Sequence, residues 1–320
     1  MGVGLPLNFI GEELIGVRIV GLAEYLAAGR TEINDALVVE ASTQCNHGLC
    51  AFCYNSCTSY GGVDMTPETA RDIANTLIAH NVRPKKIWLS GGEPTMNSNL
   101  VEIVFELARV SDYIGLITNG FSLAEEETYA DELAWMPPLK EVAITLHSAH
   151  ASTHNKLVMP SDASDEEIEN CKAFTKVSRA FTNMFRAREE EGRDDLTIAV
   201  NVMMSQMRTL LAIFIAIRAW GGTIDKIILQ GLRRAAGRAA SIPDEHRLID
   251  LLLPNKNMVQ AYLDDAEELV ESGYIKEAVL FGPIPKKIVE ALDLLNHPMY
   301  APAAMPTIDP RGRLRPDMVY

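Results

Sequence analysis

The feature that most constrains the fold of this 320-residue chain is a regular alternation of short apolar runs with amphipathic helical stretches. The apolar runs are rich in β-branched residues, and each is nearly continuous, as expected of parallel strands that are buried on both faces. Strands that alternate with helices along a chain indicate a parallel sheet of the α/β class. We predict six such strands, at residues 36–41, 86–90, 113–118, 141–147, 196–203 and 226–232.

The segments before and after this alternating region have a different pattern. A chain of this length suggests one large or two small domains. Residues 1–35 are expected to form a helical lead-in, and residues 36–240 to form the main α/β domain. Residues 241–320 are expected to form a C-terminal extension of helices around one short strand at 278–281.

Two helices can be placed from local signals. The longest predicted helix covers residues 164–191, where apolar side chains recur at helical spacing. Cys171 falls on this apolar stripe and is expected to be a core thiol. Another helix is expected to begin at Pro67, because Thr66 is a favourable N-cap and proline is favoured in the first helical turn.

Four of the five cysteines lie close together, directly after the first predicted strand. They are Cys45, Cys50, Cys53 and Cys57. A loop at the carboxyl end of a parallel strand is where α/β folds place their chemistry. Three close thiolates can hold three irons of a [4Fe–4S] cluster, which leaves one iron open to bind a substrate.

Other interpretations of these cysteines remain open, although a three-thiolate cluster fits them best. Structural zinc would need a second cysteine pair, or histidines at finger spacing, and only the pair Cys50 and Cys53 is present. A ferredoxin-type cluster with four ligands would add Cys57, but the spacing fits the bacterial pattern poorly. Disulfides are disfavoured, because the N-terminus lacks the positive region of a secretion signal.

Three further predicted strands end in polar motifs. These are Gly91-Gly92-Glu93-Pro94, Thr118-Asn119-Gly120 and Thr145-Leu146-His147-Ser148. Together with the cysteine segment, and with Phe52 directly before Cys53, they resemble the radical S-adenosylmethionine (SAM) superfamily over about residues 36–240. Within that superfamily the chain is most similar to the branch of the molybdenum-cofactor biosynthesis enzyme and the peptide-modifying maturases. Its cysteine spacing departs from the usual pattern by one extra residue between Cys45 and Cys50.

The resemblance implies a partial (β/α)6 barrel with a helical C-terminal extension, and the activity of a radical SAM enzyme. It implies that Cys45, Cys50 and Cys53 ligate one [4Fe–4S] cluster, whose open iron binds SAM. The cluster, reduced by a donor such as flavodoxin or ferredoxin, would cleave SAM to a 5′-deoxyadenosyl radical that abstracts hydrogen from a small-molecule or peptide substrate. Two alternatives remain: a maturase or activase that modifies a peptide or protein, and a non-catalytic iron–sulfur or zinc protein.

The resemblance also implies which residues contact SAM. Gly91 and Gly92 would let the backbone approach the methionine part closely, and Glu93 would offer a carboxylate or carbonyl to its amino group. Further expected contacts lie at or near the strand ends: Phe52, Pro94, Thr118, Asn119, Thr145, Asn201, Gln230 and Leu232. Thr118 and Thr145 are candidates for the ribose and carboxylate, and Leu232 for packing against the adenine. His147 is a candidate for catalytic proton transfer.

Composition and charge limit the partners. A formal net charge of −14 disfavours binding to a nucleic-acid backbone, which requires a dense basic face. No apolar stretch reaches the length of a transmembrane helix. We therefore expect a cytoplasmic protein with neither a nucleic-acid nor a membrane partner.

The segment 308–316 resembles a hairpin that, in many peptide-modifying relatives, is followed by a cysteine ligand of an additional cluster. Here the next residue is Asp317, and the C-terminal extension contains no cysteine. The resemblance therefore implies a cysteine-free remnant of that domain and a single cluster. We also hypothesise that Arg311, Arg313 and Arg315 fold towards the mouth of the barrel and help to hold an anionic substrate.

Overall fold

The computed structural model describes residues 8–9, 12–13, 22–29, 32–53, 55, 57, 61–207, 210–232, 242, 251–281, 284–300 and 306–315. The strands are β1 (Asn8–Phe9), β2 (Glu12–Glu13), β3 (Ala36–Ser42), β4 (Lys86–Gly91), β5 (Ile114–Thr118), β6 (Leu139–Thr145), β7 (Thr197–Met203), β8 (Lys226–Gln230), β9 (Glu277–Phe281), β10 (Thr307–Ile308) and β11 (Leu314–Arg315).

The α-helices are α1 (Leu22–Ala27), α2 (Pro67–Ala79), α3 (Leu100–Leu107), α4 (Phe121–Glu125), α5 (Glu127–Trp135), α6 (Ala151–Val158), α7 (Asp165–Asn170), α8 (Ala173–Glu190), α9 (Leu210–Ala219), α10 (Lys256–Glu271) and α11 (Lys286–Ala291). Short 3₁₀ helices cover Glu32–Asn34, Pro94–Met96 and Leu294–Asn296. The predicted start of α2 is confirmed, because the Thr66 hydroxyl accepts a hydrogen bond from Thr69 N at 3.2 Å. Among the described helices, none has the length and apolar character needed to span a membrane.

Nine of the described strands form one sheet, in the order β11-β10-β3-β4-β5-β6-β7-β8-β9. Every neighbouring pair from β10 to β9 is parallel, and β11 runs antiparallel to β10. The eight parallel strands curl into a half-barrel, and their carboxyl ends lie at the same end of it. This architecture confirms the predicted α/β partial barrel. The six predicted strands are also confirmed, with ends that differ by at most two residues from the expected ones.

The C-terminal extension contributes strands to both edges of this sheet. The expected strand near 278–281 is β9, which pairs with β8 through partners such as Ile228 and Val279. The expected hairpin is β10 and β11, and β10 pairs with β3 at the opposite edge. The parallel sheet therefore has eight strands rather than six, because the extension completes the barrel at each side. The domain boundary at residue 240 stays a prediction.

Two helical predictions are wrong in part. The lead-in is not helical throughout, because β1 and β2 pair with each other as antiparallel strands. The helix expected over 164–191 is broken at Cys171, whose backbone is extended. The Asn155 side chain stabilises this break: its Nδ2 donates to Cys171 O at 2.6 Å, and its Oδ1 accepts from Phe174 N at 3.0 Å. Cys171 is thus a half-buried thiol at a helix junction, packed against the core.

Apolar side chains pack on both faces of the sheet. The larger core lies between the outer face and the surrounding helices. A separate cluster fills the inside of the half-barrel and consists of Val38, Trp88, Ala143, Ala199 and Ile228, which are all buried. These five residues are called the floor cluster below. They come from five strands, at positions that alternate with the outward-facing core residues, as the period of a β-strand requires.

Candidate functional site

A cavity of 230 Å³ lies inside the half-barrel at the carboxyl ends of the strands. Most of the predicted site residues line it: Cys45, Cys50, Phe52, Cys53, Gly91, Gly92, Thr118, Asn119, Thr145, His147, Asn201 and Gln230. Glu93, Pro94 and Leu232 are buried and do not line the cavity. The strand-end residues that do line it, Gly91, Thr118, Thr145, Asn201 and Gln230, are called the polar rim below.

Backbone hydrogen bonds hold the cysteine segment over this cavity. Cys53 N donates to Cys50 O at 3.2 Å, which closes a tight turn between the second and third thiols of the predicted triplet. Ala51 N, inside that turn, donates to Met159 O at 3.3 Å and ties the turn to the end of α6. The turn therefore places the second and third thiols at the cavity wall.

The two glycines at the end of β4 admit the backbone that leads into Cys45. Gly92 N donates to Ser42 O at 2.7 Å, and Glu93 N donates to Gln44 O at 2.6 Å. A Cβ atom on Gly92 would lie only 2.0 Å from Gln44 O, and one on Gly91 only 2.3 Å from Ser42 O. Gly91 also has a φ of +120°, which side-chain-bearing residues rarely adopt. Close approach by the cysteine segment thus explains both glycines without any cofactor.

Glu93 acts as a buried acceptor behind the cavity wall. Its carboxylate accepts from the Thr118 hydroxyl at 2.7 Å, the Thr95 hydroxyl at 2.7 Å and Asn119 N at 2.6 Å. Burial raises the pKa of this carboxyl group, whereas its donors act in the opposite direction. Asn119 Nδ2 in turn donates to Cys45 Sγ at 3.6 Å. The side chain therefore organises the wall, and the predicted contact with an amino group falls to the Glu93 carbonyl.

The thiols share a buried environment. Burial raises the pKa of Cys45, and the negative charge of Glu93 adds to this effect. A hydrogen bond with Cys53, followed by burial, raises the pKa of Cys57 well above its ordinary value. Cys57 also lines the cavity and donates to Gly91 O at 3.9 Å. Its position beside Cys53 leaves open the alternative in which it is a further ligand.

The residues present fit a cluster that is bound by thiolates. All three predicted ligands line one cavity, together with an orphaned polar atom on its far wall that is described next. Within the described part of the chain, no three Cys, His, Asp or Glu side chains are placed to hold a single metal ion. An iron–sulfur cluster is larger than one ion and is held by thiolates around its periphery.

Asn201 presents an unused acceptor to the cavity. Its Nδ2 donates to the Thr145 hydroxyl at 3.3 Å, which fixes the amide orientation. Its Oδ1 is buried and has no hydrogen-bond partner among the described residues. A buried carbonyl without a donor is costly, so this atom is suited to accept a hydrogen bond from a bound molecule. Gln230, on the neighbouring strand, lines the same wall and is half-buried.

His147 is placed to position its neighbours. Its Nδ1 accepts from Met203 N at 3.1 Å, and its ring packs edge-on against Phe52 with centroids 5.1 Å apart. Burial lowers the pKa of His147 to about 3, so the ring is neutral at neutral pH. Proton transfer by His147 stays a prediction, because these surroundings favour support of the cysteine turn through Phe52.

Leu232 lies behind the cavity wall. It belongs to an apolar cluster with Ala51, Leu157 and Met203, and Phe52 packs against that cluster. The adenine contact predicted for Leu232 stays a prediction.

Sequence reasoning did not identify the lower wall of the cavity. Val38, Trp88, Ile117, Ile228 and Phe281 line it. Counting by two along each strand from the polar rim would have identified Trp88 and Ile228, because inward-facing residues alternate. Phe281 could not have been found in this way, since its strand belongs to the extension.

The arginines of the C-terminal hairpin have other partners. The Arg313 guanidinium pairs with the Asp309 carboxylate at 2.6 Å, and Arg311 is exposed with its backbone N donating to the same carboxylate. The side chain of Arg315 lies outside the described residues. The turn is thus organised around buried Asp309, and this structure gives the anion-binding hypothesis no direct support.

Comparison with known proteins supplies a family. Residues 39–191 match the family model described as "Radical SAM superfamily". The "Probable GTP 3′,8-cyclase" of Pyrococcus abyssi is 30% identical over 141 residues, which cover 44% of this chain and 44% of that protein. The protein of the same name from Thermoplasma volcanium is 34% identical over 89 residues, which cover 28% of this chain and 26% of that protein. The match spans less than half the length of these curated relatives.

Solved structures show a similar fold. Streptococcus suis SuiB bound to S-adenosylmethionine superposes with a TM-score of 0.59 at 11% identity, covering 92% of this chain and 63% of SuiB. The enzyme anSMEcpe with bound AdoMet gives a TM-score of 0.56 at 16% identity, covering 88% of this chain and 73% of that chain. At these identities the similarity concerns the fold alone, and it agrees with the half-barrel described above.

Proposed function

Residues 39–191 form a radical SAM domain, and from this premise we propose that the chain is an enzyme that cleaves SAM reductively and abstracts hydrogen from a substrate. The expected superfamily is thereby confirmed, and SAM and a [4Fe–4S] cluster are the cofactors typical of it. The single observation that supports this activity is the convergence of three thiols, a glycine turn and an orphaned amide carbonyl on one cavity.

The chain's own residues have distinct tasks in this proposal. Cys45, Cys50 and Cys53 hold the cluster, which together with SAM supplies the 5′-deoxyadenosyl radical. Asn201 Oδ1 accepts a hydrogen bond from bound SAM, and Thr145 keeps the amide turned towards it. The walls exclude water from the reacting groups, which protects a radical from quenching.

Anaerobic reconstitution followed by an assay for 5′-deoxyadenosine tests the activity. We expect iron and sulfide in proportion to a single cluster, and 5′-deoxyadenosine when dithionite or reduced flavodoxin is added. Cys53→Ser should lose both, whereas Cys171→Ser, which changes a thiol outside the cavity, should lose neither. Complete absence of 5′-deoxyadenosine with every reductant, from protein that retains its cluster, would contradict the proposal.

A second measurement tests the assigned SAM contact without relying on turnover. Asn201→Asp keeps an acceptor oxygen, whereas Asn201→Leu keeps the volume and removes it. We expect Asn201→Leu to weaken SAM binding in equilibrium dialysis by about tenfold, the value of one well-placed hydrogen bond. Equal SAM affinity of the wild-type protein and Asn201→Leu would remove Asn201 from the site.

A further inference from the structure

The described walls of the cavity carry no fixed charge. None of the described residues that line it is Asp, Glu, Lys or Arg. Two of its histidines, His147 and His154, are neutral as well, because burial lowers the pKa of each. A charged group placed against these walls would lose its hydration without gaining a counter-ion, which is strongly unfavourable.

The cavity changes character from top to bottom. Each polar residue at the strand ends stands two positions after an apolar residue on the same strand, so the two point into the barrel at different depths. These pairs are Ser90 and Trp88, Thr145 and Ala143, Asn201 and Ala199, and Gln230 and Ile228. Two residues along a strand correspond to about 7 Å, so the floor cluster lies about that far below the polar groups.

Trp88 closes the cavity from below. Its ring lies over Gly115, where a Cβ atom would come within 2.6 Å of two ring carbons. Lys226 Nζ lies 5.6 Å from the centre of the same ring, does not line the cavity, and donates to the Glu141 carboxylate at 3.2 Å. The nearest buried cation below the floor is therefore paired with an acid and separated from the cavity by the floor.

On the basis of the proposed function, we propose that the part of the substrate that enters below the polar rim is an uncharged, largely hydrocarbon group, and that Trp88 limits how far it enters. The floor cluster offers this group only apolar contacts, which reward the removal of hydrocarbon from water. A group that carries a phosphate or carboxylate to this depth is excluded by the same walls. Trp88 is thus a specificity-determining residue, and Ile228 forms part of the same limit.

Matched probes that differ in charge test this inference. Reconstituted protein with SAM is dialysed to equilibrium against radiolabelled 1-octanol, octanoate or GTP. We expect saturable binding of 1-octanol, at least tenfold weaker binding of octanoate, and no binding of GTP in the cavity. Octanoate that binds as tightly as 1-octanol, or GTP that displaces 1-octanol, would overturn the proposal.

A series from 1-butanol to 1-decanol tests the role of Trp88. Affinity should rise about fourfold with each methylene until the chain reaches the floor, and then stop rising. Trp88→Ala should move this limit to longer chains, and Ile228→Phe should move it to shorter ones. Limits unchanged in both variants, with cluster content and circular dichroism retained, would show that Trp88 does not set the depth.

The two proposals fail separately. Formation of 5′-deoxyadenosine is measured in the same preparations without any alcohol. Protein that binds 1-octanol but forms no 5′-deoxyadenosine contradicts the proposed activity alone. Protein that forms 5′-deoxyadenosine but prefers octanoate contradicts the inferred substrate class alone.

Discussion

The polar rim and the floor cluster lie on the same strands, yet they are held by different forces. At the rim, hydrogen bonds to backbone atoms position each group, as in the contacts of Glu93 with Asn119 and of Gly92 with Ser42. At the floor, close packing holds the residues, and Trp88 fits over Gly115 with no space for a methyl group. Below the floor, Lys226 and Glu141 form a buried ion pair.

This difference separates two properties that a single strand must provide. Hydrogen bonds have directions, so they suit residues that must present a thiol or a carbonyl at a defined point. Packing has no direction, so it suits a wall that must be closed but need not be chemically specific. We therefore expect rim substitutions to affect cofactor binding first, and substitutions below the floor to affect stability first.

Gly92→Ala should have the largest effect and should act on the rim alone. The added methyl group would meet Gln44 O at 2.0 Å, and backbone on both sides prevents a small adjustment. The cysteine segment must then move away, and we expect most of the iron and sulfide to be lost after reconstitution. Gly192→Ala, at an open turn with no atom near the added methyl group, is the control. Full cluster content in Gly92→Ala would refute the tight contact.

Lys226→Met should act on the opposite end of the barrel. It leaves the Glu141 carboxylate buried without its cation, which costs about 3–5 kcal/mol in the free energy of unfolding. Urea denaturation measures this loss. The double variant Lys226→Met, Glu141→Leu should recover most of it, because no unpaired charge then remains. Folded Lys226→Met should keep its cluster; loss of the cluster in folded protein would mean that rim and floor are not independent.

Glu93→Gln should weaken the rim by a smaller amount. Glutamine fills the same volume, but its NH₂ group cannot accept from one of the donors at Thr118, Thr95 or Asn119. We expect a loss of about 1–3 kcal/mol in the free energy of unfolding and a more readily lost cluster. Glu102→Gln, at an exposed helix position, provides the matched control. Equal stability of these two variants would argue against an organising role for Glu93.

His147 should produce the smallest effect, and only in acid. Its folded pKa of about 3 lies below the ordinary histidine value, so between these two values the unfolded chain binds a proton that the folded chain does not. Stability should therefore fall as the pH drops from about 6.5 towards 3, by at most about 1.4 kcal/mol per pH unit from this residue. Chemical denaturation of wild type and His147→Gln at pH 7 and pH 5 measures it. An identical pH slope in both proteins would show that His147 titrates normally.

Local patterns in the sequence were sufficient for the strands and for the end of the barrel that carries the site. Near-continuous apolar runs identify buried parallel strands directly, and polar motifs at their ends meet because parallel strands share one carboxyl end. The break at Cys171 was missed because it depends on Asn155, whose side chain acts from another helix. The role of Gly92 was assigned to a ligand, because the approach of Gln44 is visible only in three dimensions.

The placement of β9 and β10 has a consequence for how the chain reaches its native state. β10 pairs with β3, so Ile308 must find Val39 across most of the length of the chain. Contacts between residues so distant in sequence form slowly, because a long loop must close before the pairing is rewarded. During synthesis, β3 therefore emerges long before its outer neighbour and exposes an edge of unpaired N–H and C=O groups in the meantime. We expect nascent chains that stop before residue 306 to depend on chaperones, and full-length chains to be released from them once β10 has been made.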